Sequence, residues 1–239
     1  YTDIQEHKGA SALVVFLSGL SGNDTQSLSQ NASINFFKQG FSTLRFNFCN
    51  DDKMENYKAD ALEIWEMSFS VYLTELNNIL DSLSKRYSTI ILVGHSFGAP
   101  ISIMFLDKYK KYTLKTKLVL WDPSLLPWGK EVVEEVFVFD PIKKLYSQKE
   151  AENPLIINKS FYKELQGTKD TAEILRELNH KICIIGAEKG AHEDAKKYFA
   201  KLRNKKSSMF AIIKGANHLF DGKRVQKELS EKTLEFLKK

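Results

Sequence analysis

A serine lies between two glycines at residues 94–98, where the sequence is Gly-His-Ser-Phe-Gly directly after the apolar run 91–93. Gly94 and Gly98 remove the side chains that would clash in a very tight turn between a strand and a helix. Such a turn exposes the hydroxyl of Ser96, and the helix that follows directs its N-terminal amides to the space beside it. The G-x-S-x-G pattern therefore predicts a nucleophilic serine on a nucleophile elbow.

A serine hydroxyl is a poor nucleophile without a base, and the chain has five histidines. His218 lies in a polar loop, 214–222, directly after the last predicted strand. This placement brings it to the same edge of the sheet as Ser96. His95 adjoins the serine, but neighbouring side chains diverge on a tight turn, which makes it a poor base. We therefore predict that His218 is the base.

The elements that must position these residues are short apolar runs alternating with longer segments of helical periodicity. The runs are almost continuously hydrophobic, as in strands that are covered on both faces. They span residues 13–17, 43–48, 89–93, 118–121, 182–185 and 209–213. The segments between them, such as 68–86, place apolar residues on one helical face. The alternation predicts a mostly parallel, doubly wound α/β sheet.

The stretch 123–181 interrupts this alternation, because it contains no convincing parallel strand. We expect a short helix near 170–178 and a strand or hairpin arm over 132–139. A stretch of this length is too long for a bare crossover loop. We predict one domain over 1–239 with a helical cap inserted at about 123–181, lying over one end of the sheet; this insertion is called the cap segment below.

Composition argues against several other classes of protein. The formal charge of +5 comes from lysines scattered along the chain, and no zinc-finger, RRM or basic-helix signature accompanies them, so we expect no nucleic-acid partner. Cys49 and Cys183 lie far apart and form no disulfide framework or CxxC pair; we expect both to be small buried residues. Walker, Rossmann and HExxH motifs are absent, so we expect no cofactor and no metal. Because no run reaches the ~18 apolar residues of a membrane helix and the first residues do not form a signal peptide, we predict a cytoplasmic protein without a membrane span.

Four segments carry a resemblance to the α/β-hydrolase fold superfamily that extends nearly from end to end. They are the oxyanion-type loop FLSGLSGN (16–23), the helix and strand FFKQGFSTLRFNF (36–48), the elbow GHSFGA (94–99) and the histidine loop GANHLF (215–220). The resemblance implies that the backbone N–H groups of Leu20 and Phe97 form an oxyanion hole. Two amides directed at a developing negative charge stabilise it by a few kcal/mol each. Ser18 departs from the histidine that the family often has, but the backbone geometry of this loop matters more than that side chain.

The acid that would complete a Ser-His-acid triad has two candidates. The family usually carries it after the penultimate strand, where this chain has Lys189 or Gly190, with Glu188 one position away. Asp122 resembles the acid of pancreatic-type lipases, which have an Asp-Pro pair at the end of the corresponding strand; Pro123 would end the strand and leave the carboxylate at the reactive edge. The acid orients the imidazole, selects its tautomer and stabilises its positive form. We favour Asp122 and keep Glu188 as the alternative.

The resemblance and the motifs together predict a serine hydrolase that cleaves small-molecule carboxylic esters or thioesters through an acyl-enzyme. Aromatic residues of the cap segment either line an acyl or aryl pocket or pack the cap onto the domain. They are Trp128, Phe137, Phe139, Tyr146, Phe161 and Tyr162. The alternative is a protein of the same fold that is catalytically weak or inactive and binds a small ligand or a partner.

Overall fold

The computed structural model describes residues 2–20, 27–46, 68–150, 155–178 and 180–238. Within these residues the strands are β1 (Thr2–Gln5), β2 (Ala12–Leu17), β3 (Ser42–Phe46), β4 (Thr89–His95), β5 (Thr116–Trp121), β6 (Phe137–Asp140), β7 (Leu145–Gln148), β8 (Ile156–Ile157), β9 (Ile182–Lys189) and β10 (Met209–Asn217). The α-helices are α1 (Ser27–Lys38), α2 (Phe69–Leu83), α3 (Gly98–Lys108), α4 (Lys130–Val136), α5 (Lys159–Gly167), α6 (Thr171–Leu178), α7 (His192–Lys201) and α8 (Lys223–Leu237).

Seven of the strands form one sheet in the order β1-β3-β2-β4-β5-β9-β10. All neighbours in it are parallel except β1, which pairs antiparallel with β3 at the edge. The predicted mostly parallel α/β sheet is therefore confirmed. The apolar run predicted over 43–48 forms β3 up to Phe46, and residues 47–48 lie outside the described residues, as does Cys49. Cys183 is buried in β9.

Alternate residues of the central strands point to opposite sides of the sheet, and those on both sides are apolar, so helices cover both faces. In β2, Leu13 and Val15 face one apolar core together with residues of α2, α3, α6 and α7. Val14 and Phe16 face a second core with residues of α1 and α8. The two cores fix the central strands, and so they fix the loops at the carboxyl ends of these strands. None of the described helices is long and apolar enough to cross a membrane.

The cap segment contains strands as well as helices, which corrects the prediction of a helical cap. β6, β7 and β8 form a small antiparallel sheet, and α4, α5 and α6 accompany it. The strand or hairpin arm predicted over 132–139 is also partly wrong, since a helix occupies it up to Val136 and the strand begins at Phe137. The valines favour a strand locally, but Val133 is buried on one helical face while the glutamates of α4 remain exposed. The helix predicted near 170–178 is confirmed by α6.

Candidate active site

Ser96 occupies the turn between β4 and α3, and its backbone has a positive φ of 52°, which is strained for a residue with a side chain. A Cβ on Gly94 would lie 2.5 Å from the carbonyl oxygen of Gly98. A Cβ on Gly98 would lie 2.1 Å from the carbonyl oxygen of Leu17. Both glycines are therefore required by the close approach of backbone to backbone. The Ser96 N–H donates to the carbonyl of Trp121 at 3.0 Å, which ties the turn to the neighbouring strand β5.

A continuous chain of hydrogen bonds joins Ser96, His218 and Asp122. The Ser96 Oγ lies 2.8 Å from His218 Nε2, and His218 Nδ1 lies 2.5 Å from Asp122 Oδ2. His218 stands in the loop after β10, so three separate strand ends contribute one residue each. The arrangement requires the tautomer in which Nδ1–H donates to the carboxylate and Nε2 accepts from the hydroxyl. In this form the imidazole is oriented to take the hydroxyl proton.

The carboxylate of Asp122 is completely buried, yet each of its oxygens accepts a hydrogen bond. Oδ1 accepts from the N–H of Ala187 at 2.8 Å, and Oδ2 accepts from the N–H of Ala191 at 2.7 Å. A Cβ on Gly190 would lie 2.1 Å from Oδ2, so the loop after β9 closes tightly around the group. A buried charge is tolerated when it is paired and hydrogen-bonded in this way. The backbone of Asp122 has a positive φ of 40°, which turns the side chain toward this loop.

Glu188, the alternative acid, lies on the same sheet edge but makes a different contact. It is exposed, and its Oε2 accepts a hydrogen bond from the N–H of Gly215 at 2.7 Å. Gly215 has a positive φ of 73° and precedes His218 by three residues. The structure therefore brings Asp122 to the imidazole and places Glu188 against the backbone of β10, three residues before His218.

His95 has a contact that the sequence analysis did not foresee. Its Nε2–H donates to the carbonyl oxygen of His218 at 2.7 Å, and the two rings lie 5.1 Å apart. Burial lowers the pKa of His95 to about 4, so the ring is neutral at physiological pH and carries its proton on Nε2. Strand alternation is the sequence feature that could have predicted this contact, because it places residue 95 on the same face of β4 as Val93, beside the loop that carries His218. His95 thus holds the backbone of His218.

The two residues predicted for the oxyanion hole each adjoin a residue that is at or near Ser96. Phe97 follows Ser96 directly and precedes α3. Leu20 follows Gly19, where an added Cβ would lie 3.2 Å from Ser96 Cβ and 3.5 Å from its Oγ. The loop after β2 therefore runs along one side of the nucleophile. Residues 21–23 of the predicted loop lie outside the described residues.

The aromatic residues of the cap segment divide into two groups. Phe161 and Phe137 are buried, and the Phe161 ring packs 5.8 Å from that of Phe97. Trp128 is half-buried, with its ring 6.5 Å from the same Phe97 ring. Tyr146 and Tyr162 stack on each other at 3.7 Å between ring centroids, and Phe139 is exposed. The buried group joins the cap segment to the elbow.

Comparison with solved structures finds the same fold in several proteins over nearly the whole chain. Est1E from Butyrivibrio proteoclasticus, solved with ferulic acid bound, has a TM-score of 0.77 and 15% identity, covering 100% of this chain and 96% of that one. Alpha/beta hydrolase domain-containing protein 10 from mouse has a TM-score of 0.67 and 14% identity, covering 99% and 93%. MGS-MChE2, an alpha/beta hydrolase enzyme from a lagoon-sediment metagenome, has a TM-score of 0.63 and 19% identity, covering 99% and 94%. Neither protein-family models nor curated proteins gave a match. The predicted resemblance to the α/β-hydrolase fold is confirmed.

Proposed function

From the α/β-hydrolase fold of this chain and the hydrogen-bonded chain at its sheet edge, we propose that the protein is a serine hydrolase acting on small-molecule carboxylic esters or thioesters. The observation that carries the proposal is the pair of distances at His218: 2.8 Å from Nε2 to Ser96 Oγ and 2.5 Å from Nδ1 to Asp122 Oδ2. Similarity to esterases and other hydrolases of the same fold supports the hydrolase class.

In the proposed reaction His218 acts first as a base and then as an acid. Nε2 takes the proton of Ser96 as Oγ attacks the substrate carbonyl, and the carboxylate of Asp122 stabilises the imidazolium that forms. The N–H groups of Leu20 and Phe97 hold the oxyanion. The imidazolium then gives its proton to the leaving oxygen or sulfur, which leaves an acyl-enzyme on Ser96. In deacylation His218 takes a proton from a water molecule as the water oxygen attacks the acyl carbon. The bond from that carbon to Ser96 Oγ then breaks, Oγ takes the proton back from His218, and the acid is released.

We further propose that residues 1–239 act as one catalytic domain and that the cap segment shapes its substrate pocket. The contact of Trp128 and Phe161 with the Phe97 ring supports this, since Phe97 adjoins the nucleophile. Phe97 and Phe161 are buried, and Trp128 is the partly exposed ring of the three; an exposed aromatic face beside the elbow suits an acyl or aryl group. Ferulic acid is the ligand in the Est1E structure. The cytoplasmic location stays a prediction.

Labelling with a fluorophosphonate probe tests the nucleophile directly. We expect prompt labelling of the wild-type protein and none of Ser96→Ala, with Ser102→Ala as the matched control, because the Ser102 hydroxyl donates to the carbonyl of Gly98 inside α3. p-Nitrophenyl esters of graded acyl length, together with methyl ferulate, then define the acyl group. A wild-type protein that neither labels nor turns over any ester would favour the alternative, a protein that binds a ligand without hydrolysing it.

A further inference from the structure

A second hydroxyl lies beside the nucleophile. The Oγ of Ser124 is 3.4 Å from the Oγ of Ser96, and the N–H of Ser124 donates to the carbonyl of Ser96 at 3.2 Å. Ser124 follows Asp122 by two residues, so one loop after β5 supplies both a carboxylate and a hydroxyl. We propose that Ser124 is a further catalytic residue, whose hydroxyl donates a hydrogen bond to the leaving oxygen of the substrate. This inference rests on the proposed function.

A buried tyrosine also holds the backbone of Ser124 in place. The carbonyl of Ser124 accepts a hydrogen bond from the hydroxyl of Tyr198 at 2.9 Å. That hydroxyl is also 2.6 Å from Thr171 Oγ1, and Tyr198 is completely buried. The backbone of Ser124 is therefore bonded at both its N–H and its carbonyl. Its side chain stays half-buried at the site, where a substrate atom can reach it.

The order of the strands decides which part of a substrate Ser124 faces. β4 carries the nucleophile, with β2 on one side and β5, β9 and β10 on the other. The loop after β2 carries Gly19 and Leu20, and the proposed oxyanion site lies on that side. Ser124 follows β5 and His218 follows β10, so both approach from the opposite side. The leaving oxygen must lie on the side of His218, because it takes its proton from that residue. Ser124 lies on the same side, so it stands next to the leaving group rather than next to the oxyanion.

The hydroxyl has a role when the bond to the leaving group breaks. Once Ser96 Oγ has bonded to the carbonyl carbon, the electron pair of the breaking C–O bond goes to the leaving oxygen, and this oxygen takes its proton from His218 Nε2. Ser124 keeps its own proton and donates a hydrogen bond to the charge that develops on that oxygen. Hydrogen bonds to charged groups are stronger than neutral ones. The contribution of Ser124 must therefore grow with the basicity of the leaving group.

The test compares esters of one acid with p-nitrophenol, phenol and ethanol as leaving groups, in order of increasing basicity. We expect Ser124→Ala to lower kcat/KM for the ethyl ester about tenfold and for the p-nitrophenyl ester less than about twofold. Ser124→Thr retains a hydroxyl and should keep the wild-type ratio between the esters. Ser82→Ala, an exposed serine of α2, is the control and should change no rate. If Ser124→Ala does not fold, Ser124→Cys replaces it, because a thiol has similar size but is a weak donor.

Equal losses on all three esters, or no loss on any, would overturn the role of Ser124. Fluorophosphonate labelling of each variant shows separately whether Ser96 still reacts. Failure of the proposed function has a different signature, since the wild-type protein itself would then neither label nor hydrolyse the p-nitrophenyl ester. A failure of the inference alone leaves wild-type turnover intact and appears only in the ratio between the esters.

Discussion

Two acidic side chains stand at the same edge of the sheet and have opposite environments. Asp122, after β5, is completely buried and receives backbone N–H groups from Ala187 and Ala191 as well as the imidazole N–H. Glu188, the penultimate residue of β9, is exposed and accepts from the N–H of Gly215. The segment 187–191 therefore contributes amides to a carboxylate that follows the neighbouring strand β5.

Gly190 shows how closely that segment is fitted to Asp122. This position falls where the α/β-hydrolase resemblance leads one to expect an acid, and here even a Cβ would lie 2.1 Å from Asp122 Oδ2. A second carboxylate at 190 would thus collide with the first and repel it. The position of a buried carboxylate at this edge therefore depends on both loops, because Asp122 occupies the space that a side chain at 190 would need.

The largest effect is expected from removing the charge of the buried carboxylate. Asp122→Asn should lower kcat by about 10³-fold or more, because the amide no longer stabilises the imidazolium and can donate to Nδ1, which selects the wrong tautomer of His218. Steady-state turnover of a p-nitrophenyl ester measures this. Turnover within tenfold of the wild-type value would show that Asp122 is not the acid of the triad.

A smaller but still large effect is expected at Gly190. Gly190→Ala should lower kcat by about 10²-fold and the free energy of unfolding by about 1–3 kcal/mol, since the new methyl group overlaps the Asp122 carboxylate. Gly167→Ala, at the end of α5, is the matched control, because its Cβ meets nothing within 4 Å. Urea unfolding and ester turnover measure both variants. If Gly190→Ala behaves like Gly167→Ala, the close fit of the loop around Asp122 is wrong.

The backbone from Gly215 to His218 also receives one buried and one exposed contact. His95, buried, binds the carbonyl of His218, whereas Glu188, exposed, binds the N–H of Gly215. We expect His95→Gln to lower kcat by about tenfold, because the amide can restore the hydrogen bond but not the packing of the ring against Phe220. The pH dependence of the free energy of unfolding gives a second measurement that is specific to His95.

The sign of that pH dependence follows from the lowered pKa of His95. Its folded-state pKa of about 4 lies below the ordinary 6.5, so between these values the unfolded chain binds more protons than the folded one. The stabilisation is fully present above pH 6.5 and is lost as the pH falls toward 4, by up to about 3 kcal/mol. His95→Gln should therefore be less sensitive to acid than the wild type in urea unfolding. His180→Gln is the control, because burial lowers the pKa of His180 too. His180 precedes β9, at the opposite end of the strands from Ser96, so this substitution should alter acid stability and leave kcat unchanged.

The sequence could predict the sharp turn at Ser96 and the position of His218 at the sheet edge, because both depend on local patterns. Gly94 and Gly98 mark the sharp turn, and the end of an apolar run places His218 at the sheet edge. The choice between Asp122 and Glu188 could not be made in the same way. Asp122 follows β5 and Glu188 lies at the end of β9, both at one edge of the sheet. They differ in the positive φ of Asp122 and in the amides that bind it, at 187 and 191.

Residues that depend on contacts across the sheet were harder still to predict. Ser124 belongs to no motif, and His95 fills a variable position of G-x-S-x-G. Their partners are Ser96, in the turn after β4, and the carbonyl of His218, in the loop after β10. The strands of the cap segment are hard to locate from the sequence because they are short and partly exposed, so they lack the continuous apolar run of a buried strand. Its first valines suggested a strand and form a helix, because tertiary packing of Val133 outweighs local preference.

The smallest effect is expected at the exposed acid. Glu188→Gln retains an acceptor for the N–H of Gly215 and loses only a charge that water already screens, so kcat should change by less than about twofold and Tm by less than about 2 °C. Glu231→Gln on the outer face of α8 is a control for removing one surface charge. A tenfold loss of kcat in Glu188→Gln, with no loss in Glu231→Gln, would contradict this expectation. The exposed carboxylate of Glu188 would then have to reach the imidazole during turnover and share the role proposed for the buried Asp122.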